Sequence, residues 1–393
     1  MKILYSAIDQ TVPGTKGGSV HVAAVAEGLA ALGHEVTALV TPGSDPPRAS
    51  GVRWVAMPPP LGSPHLRLLR SGAIATLARG IRPDAIIERY HNFGGEAIRL
   101  ARTLGAVGVL EVNAPVIDYP GSTKAMLDRA LLAEPMRRWR EHLCERADVI
   151  VTPNAAILPP SIPAARVRVL EWGADTDRFR PDAPGPAPFA RPGVTTLAVF
   201  AGAFRSWHGA IHLVEAIKLL RARGRTDVGA VLIGTGSEWS RVKQAADGTD
   251  AILFTGAIPH DQMPAALAAA DIGVAPFDTG AHAPLSLGFY WSPLKMFEYM
   301  ATGLPVVAPA VDRIPSLVED GREGVLYVPP EGGSYREGDG GHAAALADAL
   351  VTLADPQRRA TVGAAARDRA VRDYSWMAHC RALETAIAGA RRA

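Results

Sequence analysis

The chain is short of cysteine, of net charge and of long apolar runs. Its two cysteines, Cys144 and Cys380, lie far apart in predicted helices, which is typical of reduced thiols and not of a disulfide framework. The 41 basic and 39 acidic side chains nearly cancel, which argues against a partner nucleic acid. No apolar run reaches the roughly 18 residues that span a bilayer, and MKILYSAID lacks the apolar region of a signal peptide. We therefore expect a cytoplasmic protein without a transmembrane segment.

Two binding signatures are also missing. The first predicted strand is followed by DQTVPGTKGG, which is not the G-x-G-x-x-G of a nicotinamide-binding dehydrogenase. No Asp-x-Asp stands between strands, apart from Asp175–Asp177 near a probable linker, so we expect no metal and no other cofactor. The stretch Met136–Arg140, MRRWR, leaves two readings open: a peripheral membrane contact or a solvated helix face.

What the sequence has in quantity is an alternation of short apolar runs with helical stretches. KILYSAI reads as a strand, a helix follows from Ser19, and EVTALV is the next strand. Such units predict parallel sheets with right-handed crossovers. The segment Arg180–Gly193 holds five prolines and no apolar period. We take 181–193 as a linker between an α/β domain of residues 1–180 and another of residues 194–374.

The stretch SPLKMFEYMATGLPVVAP, residues 292–309, places a lysine in the first turn of a predicted helix. Ser292 is suited to cap that helix and Pro293 to open it. A cation there is disfavoured by roughly 0.3–1 kcal/mol, because the peptide dipoles leave positive charge at this end. A diphosphate would neutralise both the helix terminus and Lys295, while Glu298 could accept hydrogen bonds from two ribose hydroxyls. An exposed Lys–Glu pair is the alternative, and it explains only the glutamate.

Three other loops follow strands of the second domain, at the sheet edge where open parallel sheets bind ligands. GAFRSWHG, residues 202–209, offers Arg205 and His208 to an anion, unless it is a solvated loop with an incidental arginine. The turn GTGSE brings Gly234, a weak signal alone. In TGAIPHDQM, Ile258 and His260 could flank a flat base, although His260 is equally a polar residue at a helix entry.

Together these segments resemble family-4 glycosyltransferases with the GT-B fold. The most specific parts are FTGAIPHDQMPAALAAADIGVAPF, SPLKMFEYMATGLPVVAP and IPSLVEDGREGVLYVPP, in that order. In the first domain the glycine pair after the first strand and ERYHNFGGEAIRLARTLGAVGVLEVNAP also match. The resemblance implies two doubly wound Rossmann-like domains facing a central cleft, with a final helix, about 375–393, packed back on the first domain.

The resemblance also implies a reaction: a retaining, metal-independent transfer of a sugar from a UDP- or GDP-type donor to a hydroxyl. The acceptor would be a saccharide, a lipid-linked saccharide or a small natural product. Catalysis would rest on Arg205, Lys295 and Glu298. The residues expected to bind the donor diphosphate and nucleotide are Gly17, Gly18, Arg205, His208, Gly234, Ile258, His260, Ser292, Pro293, Leu294, Lys295 and Glu298.

The chain departs from the family pattern at the sugar. Glu298 matches the second glutamate of the family's paired-glutamate motif, whereas the first, which contacts the transferred sugar, is here Tyr290. The family's first-domain histidine falls on Asn113, and His91 is the nearest histidine. We expect these three positions to face the donor sugar or the acceptor.

The phosphate loop departs as well. The family's arginine and lysine fall on Ala203 and His208, and we expect Arg205 and His208 to take over the diphosphate. Two other functions stay open: a nucleotide-sugar epimerase on the same fold, and a non-catalytic nucleotide-binding protein. The sequence does not decide between a monomer and a homodimer.

Overall fold

The computed structural model describes residues 1–393 except 15, 48–49, 64–68, 92–93, 133, 186–188, 190, 192, 330–339 and 393, and only the helical backbone of 340 and 392. The chain folds into two compact units, neither of which is continuous in sequence. The first unit comprises Met1–Gly173, Tyr290–Ser292 and Trp376–Ala393. The second comprises Ala174–Phe289 and Pro293–Ser375.

The first unit is built on a seven-stranded sheet in which every neighbouring pair is parallel. Its strands are β1 (Lys2–Val12), β2 (Glu35–Pro42), β3 (Arg53–Ala56), β4 (Ala85–Arg89), β5 (Val107–Glu111), β6 (Val149–Thr152) and β7 (Val167–Val169). Its helices are α1 (Gly17–Ala31), α2 (Ser71–Ile81), α3 (Ile98–Leu104), α4 (Thr123–Ala130), α5 (Pro135–Arg146) and α13 (Trp376–Arg392). The strand order is β3-β2-β1-β4-β5-β6-β7.

The second unit repeats this plan with a six-stranded parallel sheet, ordered β10-β9-β8-β11-β12-β13. Its strands are β8 (Thr196–Ala201), β9 (Val228–Ile233), β10 (Ile252–Gly256), β11 (Ile272–Val274), β12 (Val306–Pro309) and β13 (Gly324–Tyr327). Its helices are α6 (Ala210–Ala222), α7 (Trp239–Ala245), α8 (Met263–Ala268), α9 (Leu294–Ala301), α10 (Ile314–Leu317), α11 (Gly340–Thr352) and α12 (Pro356–Asp373).

Both sheets have interiors that follow from the sequence of their central strands. Every residue of β4, β5, β8 and β9 is buried. Burial along the whole length of a strand is typical of parallel sheets with helices on both faces. The predicted class, two Rossmann-like α/β domains with parallel sheets, is therefore confirmed.

Helix α13 packs on α1 within the first unit, and a glycine permits it. A Cβ on Gly28 would lie 2.5 Å from the sulfur of Cys380, closer than any real Cβ contact. Both predicted thiols are free and buried. The last helix is therefore part of the first unit's core, although it follows the second unit in sequence.

The division between the units differs from the predicted boundary at 180. The segment from Ala174 to Phe179 belongs to the second unit, because Ala174 pairs with Ser375 and the Phe179 side chain is buried. Arg367 also donates a hydrogen bond to the carbonyl of Phe179, at 3.0 Å. The described part of 181–193 likewise belongs to the second unit.

The helix that carries Met136–Arg140 turns its aromatic side chain inward. The indole N–H of Trp139 donates to the carbonyl of Gly94 at 3.0 Å. Arg140 is buried, 2.9 Å from a carboxylate oxygen of Asp118. Neither reading from the sequence describes this stretch fully, because two of its five side chains are built into the unit. Within the described ranges, no helix has both the length and the apolar character that crossing a bilayer requires.

Each sheet has one point where the strand order reverses, between β1 and β4 in the first unit and between β8 and β11 in the second. Open α/β sheets bind ligands outside the carboxyl ends of the strands at such a switch point. The candidate site residues gather around these two points.

Candidate functional site

Lys295 is the central charge of the second unit's switch point. Helix α9 begins at Leu294, so Lys295 is its second residue. The Nζ atom is enclosed, and no group in the part of the chain that the structure describes forms a hydrogen bond with it. It lies 4.1 Å from the centroid of the Phe200 ring and 5.4 Å from that of Phe277. Burial lowers the pKa of Lys295 to about 7, and the nearby Glu298 only partly opposes this.

Two glycines bring the loops after β8 and β9 against this lysine. Gly202 has φ +141°, and a Cβ there would lie 3.1 Å from the Nζ of Lys295. Gly234 has φ +126°, and its Cβ would come within 2.0 Å of the Gly202 carbonyl oxygen. The amide of Phe204 donates to the carbonyl of Thr235 at 2.9 Å and ties the two loops together. Only glycine fits at these two positions, because a side chain would collide with the loop or the lysine.

Arg205 and His208 lie on the same loop but differ in character. Arg205 is exposed. His208 is half-buried, and its Nδ1 donates to the carbonyl of Ala203 at 2.5 Å. Burial, followed by the charge of Lys295, lowers the pKa of His208 to about 2. His208 is therefore neutral, and in that tautomer its other nitrogen accepts rather than donates. His208 therefore brings no positive charge to this loop, and its contact with a diphosphate stays a prediction.

Glu298 lies one turn beyond Lys295 on α9. Burial raises the pKa of its carboxyl to about 7, and the positive charges of Lys295 and Arg178 oppose the rise. Within the described part of the chain, no donor bonds to this carboxylate. The group is therefore available as a hydrogen-bond acceptor close to the lysine.

The loop after β10 holds the two residues expected to flank a base. Ile258 and His260 are both half-buried, and the His260 ring lies edge-on to Phe179 at 6.1 Å. Their contact with a base stays a prediction.

Ser292 does not cap α9, contrary to expectation. The residue before the helix is Pro293, which has no side-chain cap. The hydroxyl of Ser292 instead donates to a carboxylate oxygen of Glu171 at 2.6 Å and accepts from the amide of Trp172 at 3.0 Å. A carboxylate partner 121 positions away in sequence outcompetes the local N–H groups, and no pattern near Ser292 reveals it. Pro293 is buried and Leu294 half-buried at the start of the helix.

Tyr290 belongs to the first unit together with Ser292. Its side chain is largely buried, and burial followed by the proximity of Tyr119 raises the pKa of its hydroxyl to about 12. It is a neutral phenol where the family pattern has a glutamate, so it can donate one hydrogen bond but brings no charge.

A second cluster of charges occupies the switch point of the first unit, and Glu111 is its centre. One carboxylate oxygen accepts from the Tyr5 hydroxyl at 2.7 Å. The other accepts from Arg89 at 3.1 Å and from the amide of Asn113, and lies 3.0 Å from Nδ1 of His21. Arg89 also lies 3.6 Å from a carboxylate oxygen of Asp9. Every formal charge in this cluster has a partner of opposite sign.

The cluster fixes Asn113, one of the residues expected to face a sugar. Its amide donates to Glu111, and its oxygen accepts from the indole N–H of Trp172 at 2.9 Å. The Trp172 ring in turn stacks on His21, with centroids 4.4 Å apart and planes 7° apart. Asn113 is thus held in one orientation with a single N–H left over.

The remaining first-unit candidates lie around the same strands. Gly17 and Gly18 open α1, and a Cβ on Gly18 would collide with the side-chain oxygen of Gln10. His91 is buried, with Nδ1 3.2 Å from the Arg89 carbonyl and Nε2 4.0 Å from the carboxylate of Glu96. His91 is therefore turned into the unit.

Sequence reasoning missed Glu111, Arg89 and Phe200. A signal was present for the first two: each is the last residue of a buried strand, AIIER or VGVLE. A charge at the end of a buried parallel strand needs a partner, and its neighbour in the sheet supplies one. No signal marked Phe200, which looks like any other core residue of its strand.

Comparison with known proteins matches both halves of the chain to glycosyltransferases. "Glycosyltransferase Family 4" matches residues 15–178 and "Glycosyl transferases group 1" matches residues 195–355. The phosphatidyl-myo-inositol mannosyltransferase of Mycobacterium leprae is 29% identical over 93% of this chain and 90% of its own length.

Two further relatives come from Mycolicibacterium smegmatis. Its alpha-maltose-1-phosphate synthase is 28% identical over 62% of this chain and 67% of its own length. Its GDP-mannose-dependent alpha-(1-6)-phosphatidylinositol monomannoside mannosyltransferase is 29% identical over 59% and 58%. The chain therefore spans about three fifths to two thirds of the length of these two relatives.

Solved structures show the same fold at lower identity. Sucrose-phosphate synthase from Thermosynechococcus elongatus is 20% identical with a TM-score of 0.72, covering 98% of this chain and 97% of that one. Anabaena HepE, solved with UDP and glucose, is 17% identical with a TM-score of 0.66, covering 99% of each chain.

Proposed function

Since the chain belongs to the family-4 and group 1 glycosyltransferases of the GT-B fold, we propose that it transfers a sugar from a UDP- or GDP-type donor to a hydroxyl. The transfer retains the configuration of the anomeric carbon and uses no metal. The acceptor is a saccharide, a lipid-linked saccharide or a small natural product. The protein works in the cytoplasm, with the second unit holding the donor.

The observation that carries this proposal is the enclosed ammonium of Lys295. An ion in a low-dielectric site is costly without a counter-charge. The Nζ atom stands at the switch point beside the glycine loop, and the described residues offer it no hydrogen-bond partner. A diphosphate supplies the missing negative charge, and the N–H groups at the start of α9 add further donors.

In the proposed reaction, the bond between the anomeric carbon and the diphosphate oxygen breaks as the acceptor oxygen bonds to that carbon from the same face. The acceptor's proton passes to an oxygen of the departing diphosphate. Lys295, Arg205 and the start of α9 stabilise the negative charge that builds on the leaving group, which is the largest contribution such a site can make. Glu298 accepts hydrogen bonds from the two ribose hydroxyls and so positions the nucleotide.

The relatives supply the donor and acceptor classes for testing. The names of two describe mannosyltransferases of phosphatidylinositol-type substrates, and one of these is GDP-mannose-dependent. GDP-mannose and UDP-glucose are therefore the first donors to try, with inositol-based and saccharide acceptors. A basic side chain in place of the family's first glutamate would suggest an acidic sugar, but Tyr290 is neutral, so we expect a neutral hexose.

A thermal-shift series tests the donor site first. UDP, GDP and the two donors are added in the presence and absence of a chelator, to the natural chain and to Lys295→Met. A ligand at a hundred times its dissociation constant stabilises the folded protein by about 2.7 kcal/mol. We expect one nucleoside diphosphate to raise the melting temperature of the natural chain, with or without chelator, and to leave Lys295→Met nearly unshifted.

Turnover then tests the chemistry. Anomeric proton couplings of the product, read by NMR, should show the same configuration as the donor. Conversion of the donor sugar with no acceptor present would indicate an epimerase instead. If no nucleoside diphosphate shifts the natural chain, the proposed donor site is wrong.

A further inference from the structure

We propose that Phe200 and Phe277 form an aromatic seat for the Lys295 ammonium. The faces of the two rings hold the cation, which stays without a carboxylate ion pair until an anionic ligand binds. Both are positioning residues, because they act through Lys295. The inference rests on the proposed function only in naming that anion as a diphosphate.

The geometry of the two rings suits a cation–π contact. The Nζ of Lys295 lies 4.1 Å from the Phe200 centroid and 5.4 Å from that of Phe277, inside the roughly 6 Å over which such contacts act. Both side chains are buried, at 0% and 2% exposure, so the contact is shielded from water. A desolvated cation–π contact is stronger than an exposed one.

Both rings are fixed by aromatic neighbours and cannot simply turn away. Phe200 meets Phe204 edge to face, with centroids 5.4 Å apart. Phe277 packs on Phe289 at 4.9 Å. The seat is thus a built feature of β8 and of the loop after β11, and it exists before any ligand binds.

The other groups around the ammonium do not neutralise it. Glu298 is on the same helix, and no ion pair joins it to Lys295 among the described residues. His208 is neutral and already bonded to a carbonyl, Gly202 offers no side chain, and Arg205 carries the same sign of charge. Among the described residues the two rings are therefore the groups in direct contact with the cation, and Glu298 attracts it through its charge without forming an ion pair.

This choice of partner has a chemical consequence. A carboxylate would hold the lysine charged more firmly, but an incoming diphosphate would then have to displace it. A ring face favours the charged form without using up a hydrogen-bond donor, so all three N–H bonds of the ammonium stay available. The seat thus pre-organises the group that the leaving phosphate needs.

Because the chain has few lysines, the pKa of Lys295 can be followed by NMR. The chain has six: Lys2, Lys16, Lys124, Lys218, Lys243 and Lys295. Full-length protein labelled with carbon-13 at the lysine ε position gives six NMR signals to titrate with pH, and Lys295→Arg identifies the signal of Lys295. The test variant is Phe200→pentafluorophenylalanine, which keeps the ring's shape and reverses its electrostatic face.

We expect fluorination of Phe200 to lower the pKa of Lys295 by about one, the size of a desolvated cation–π contact. The matched control is Phe204→pentafluorophenylalanine, which alters an equally buried ring of the same cluster and should leave the pKa of Lys295 unchanged. Fluorination of Phe277 is the second variant, with a smaller fall because its centroid is farther away.

The proposed seat is wrong if the pKa of Lys295 stays unchanged when both Phe200 and Phe277 are fluorinated. It is also wrong if fluorination of the Phe204 control lowers that pKa equally. Titrating the natural chain with UDP and GDP separates this from the proposed function. If fluorination lowers the pKa but neither nucleotide moves the Lys295 signal, the seat stands and the donor site fails. If a nucleotide moves the signal and fluorination changes nothing, the donor site stands and the seat fails.

Discussion

Both units have charged residues at the switch point of a parallel sheet, but the charges of the first unit form ion pairs and the lysine of the second contacts aromatic rings. In the first unit Arg89 lies 3.1 Å from Glu111 and 3.6 Å from Asp9. In the second, Lys295 is enclosed against two phenylalanine rings and, within the described ranges, forms no ion pair with a carboxylate. The comparison teaches that burial alone does not mark a binding site. A paired buried charge holds structure together, whereas an unpaired one stores a cost that a ligand can remove.

The largest effect on stability should come from removing Arg89, the cation of the first unit's ion pairs. Arg89→Met removes the cation that pairs with the buried Glu111 and the half-buried Asp9, which should cost about 3–5 kcal/mol of the free energy of unfolding. Urea unfolding followed by circular dichroism measures the loss. Arg205→Met, at an exposed arginine, is the control and should change stability by no more than about 0.5 kcal/mol. An unchanged unfolding midpoint in Arg89→Met would mean that the first cluster is not structural.

Replacing Lys295 in the second unit should change the stability in the opposite direction. Lys295→Met removes a buried ammonium that forms no ion pair with any described residue, so the melting temperature should stay the same or rise. Turnover should fall by about 100-fold or more, as when one donor to a developing anion is lost. Steady-state kinetics and a melting curve on the same sample measure both. A clear loss of stability would show that Lys295 is paired in solution and would remove the contrast between the units.

The pH dependence of nucleotide binding sharpens the contrast further. The pKa of Lys295 is about 7 in the free protein, so above that pH the lysine must take up a proton to meet the diphosphate. We expect affinity to fall with rising pH by up to about tenfold per pH unit. Glu298, also near 7, becomes protonated below that pH and loses an acceptor for the ribose, so affinity should fall on the acid side as well. Calorimetry at pH 8 in buffers of different ionisation enthalpy should detect proton uptake, and Lys295→Met should abolish it.

The smallest effect should come from the outer contact of the paired cluster. Trp172→Phe keeps a ring to stack on His21 but loses the indole N–H that bonds to Asn113, which should cost about 1 kcal/mol of stability. If Asn113 contacts the sugar or the acceptor, KM or kcat should also change, because the amide is no longer held. Unchanged kinetics would place Asn113 in the structural network alone.

The sequence predicted the sheets well because their strands are continuous apolar runs. VGVLE and TLAVFA are recognisable as strands without any partner, since both faces of a parallel sheet are covered by helices. Helix ends were harder. Ser292 has the composition of a cap, but its hydroxyl bonds to Glu171, far away in sequence, and no local pattern carries that information.

Only part of the candidate site was predictable, because sequence patterns reveal a residue that departs from a local rule but not one that obeys it. Lys295 was visible because a cation in the first turn of a helix contradicts a local rule. The seat that holds it was not, since Phe200 obeys every local rule for a buried strand. The charge state of His208 was not predictable from the sequence either, because it depends on burial and on the proximity of Lys295, neither of which the letters WHG encode.

The position of Tyr290–Ser292 in the first unit limits how this protein can be divided into fragments. Tyr290–Ser292 and Trp376–Ala393 belong with residues 1–173, so no single cut in the gene yields either half intact. A fragment that stops at Gly173 would expose the surface of α1 that Cys380 covers and strip Trp172 of the hydroxyl bonded to its amide. Chimaeras that exchange the second unit with that of a relative must therefore transplant two stretches of chain together, Ala174–Phe289 and Pro293–Ser375, and keep the three stretches of the first unit in place.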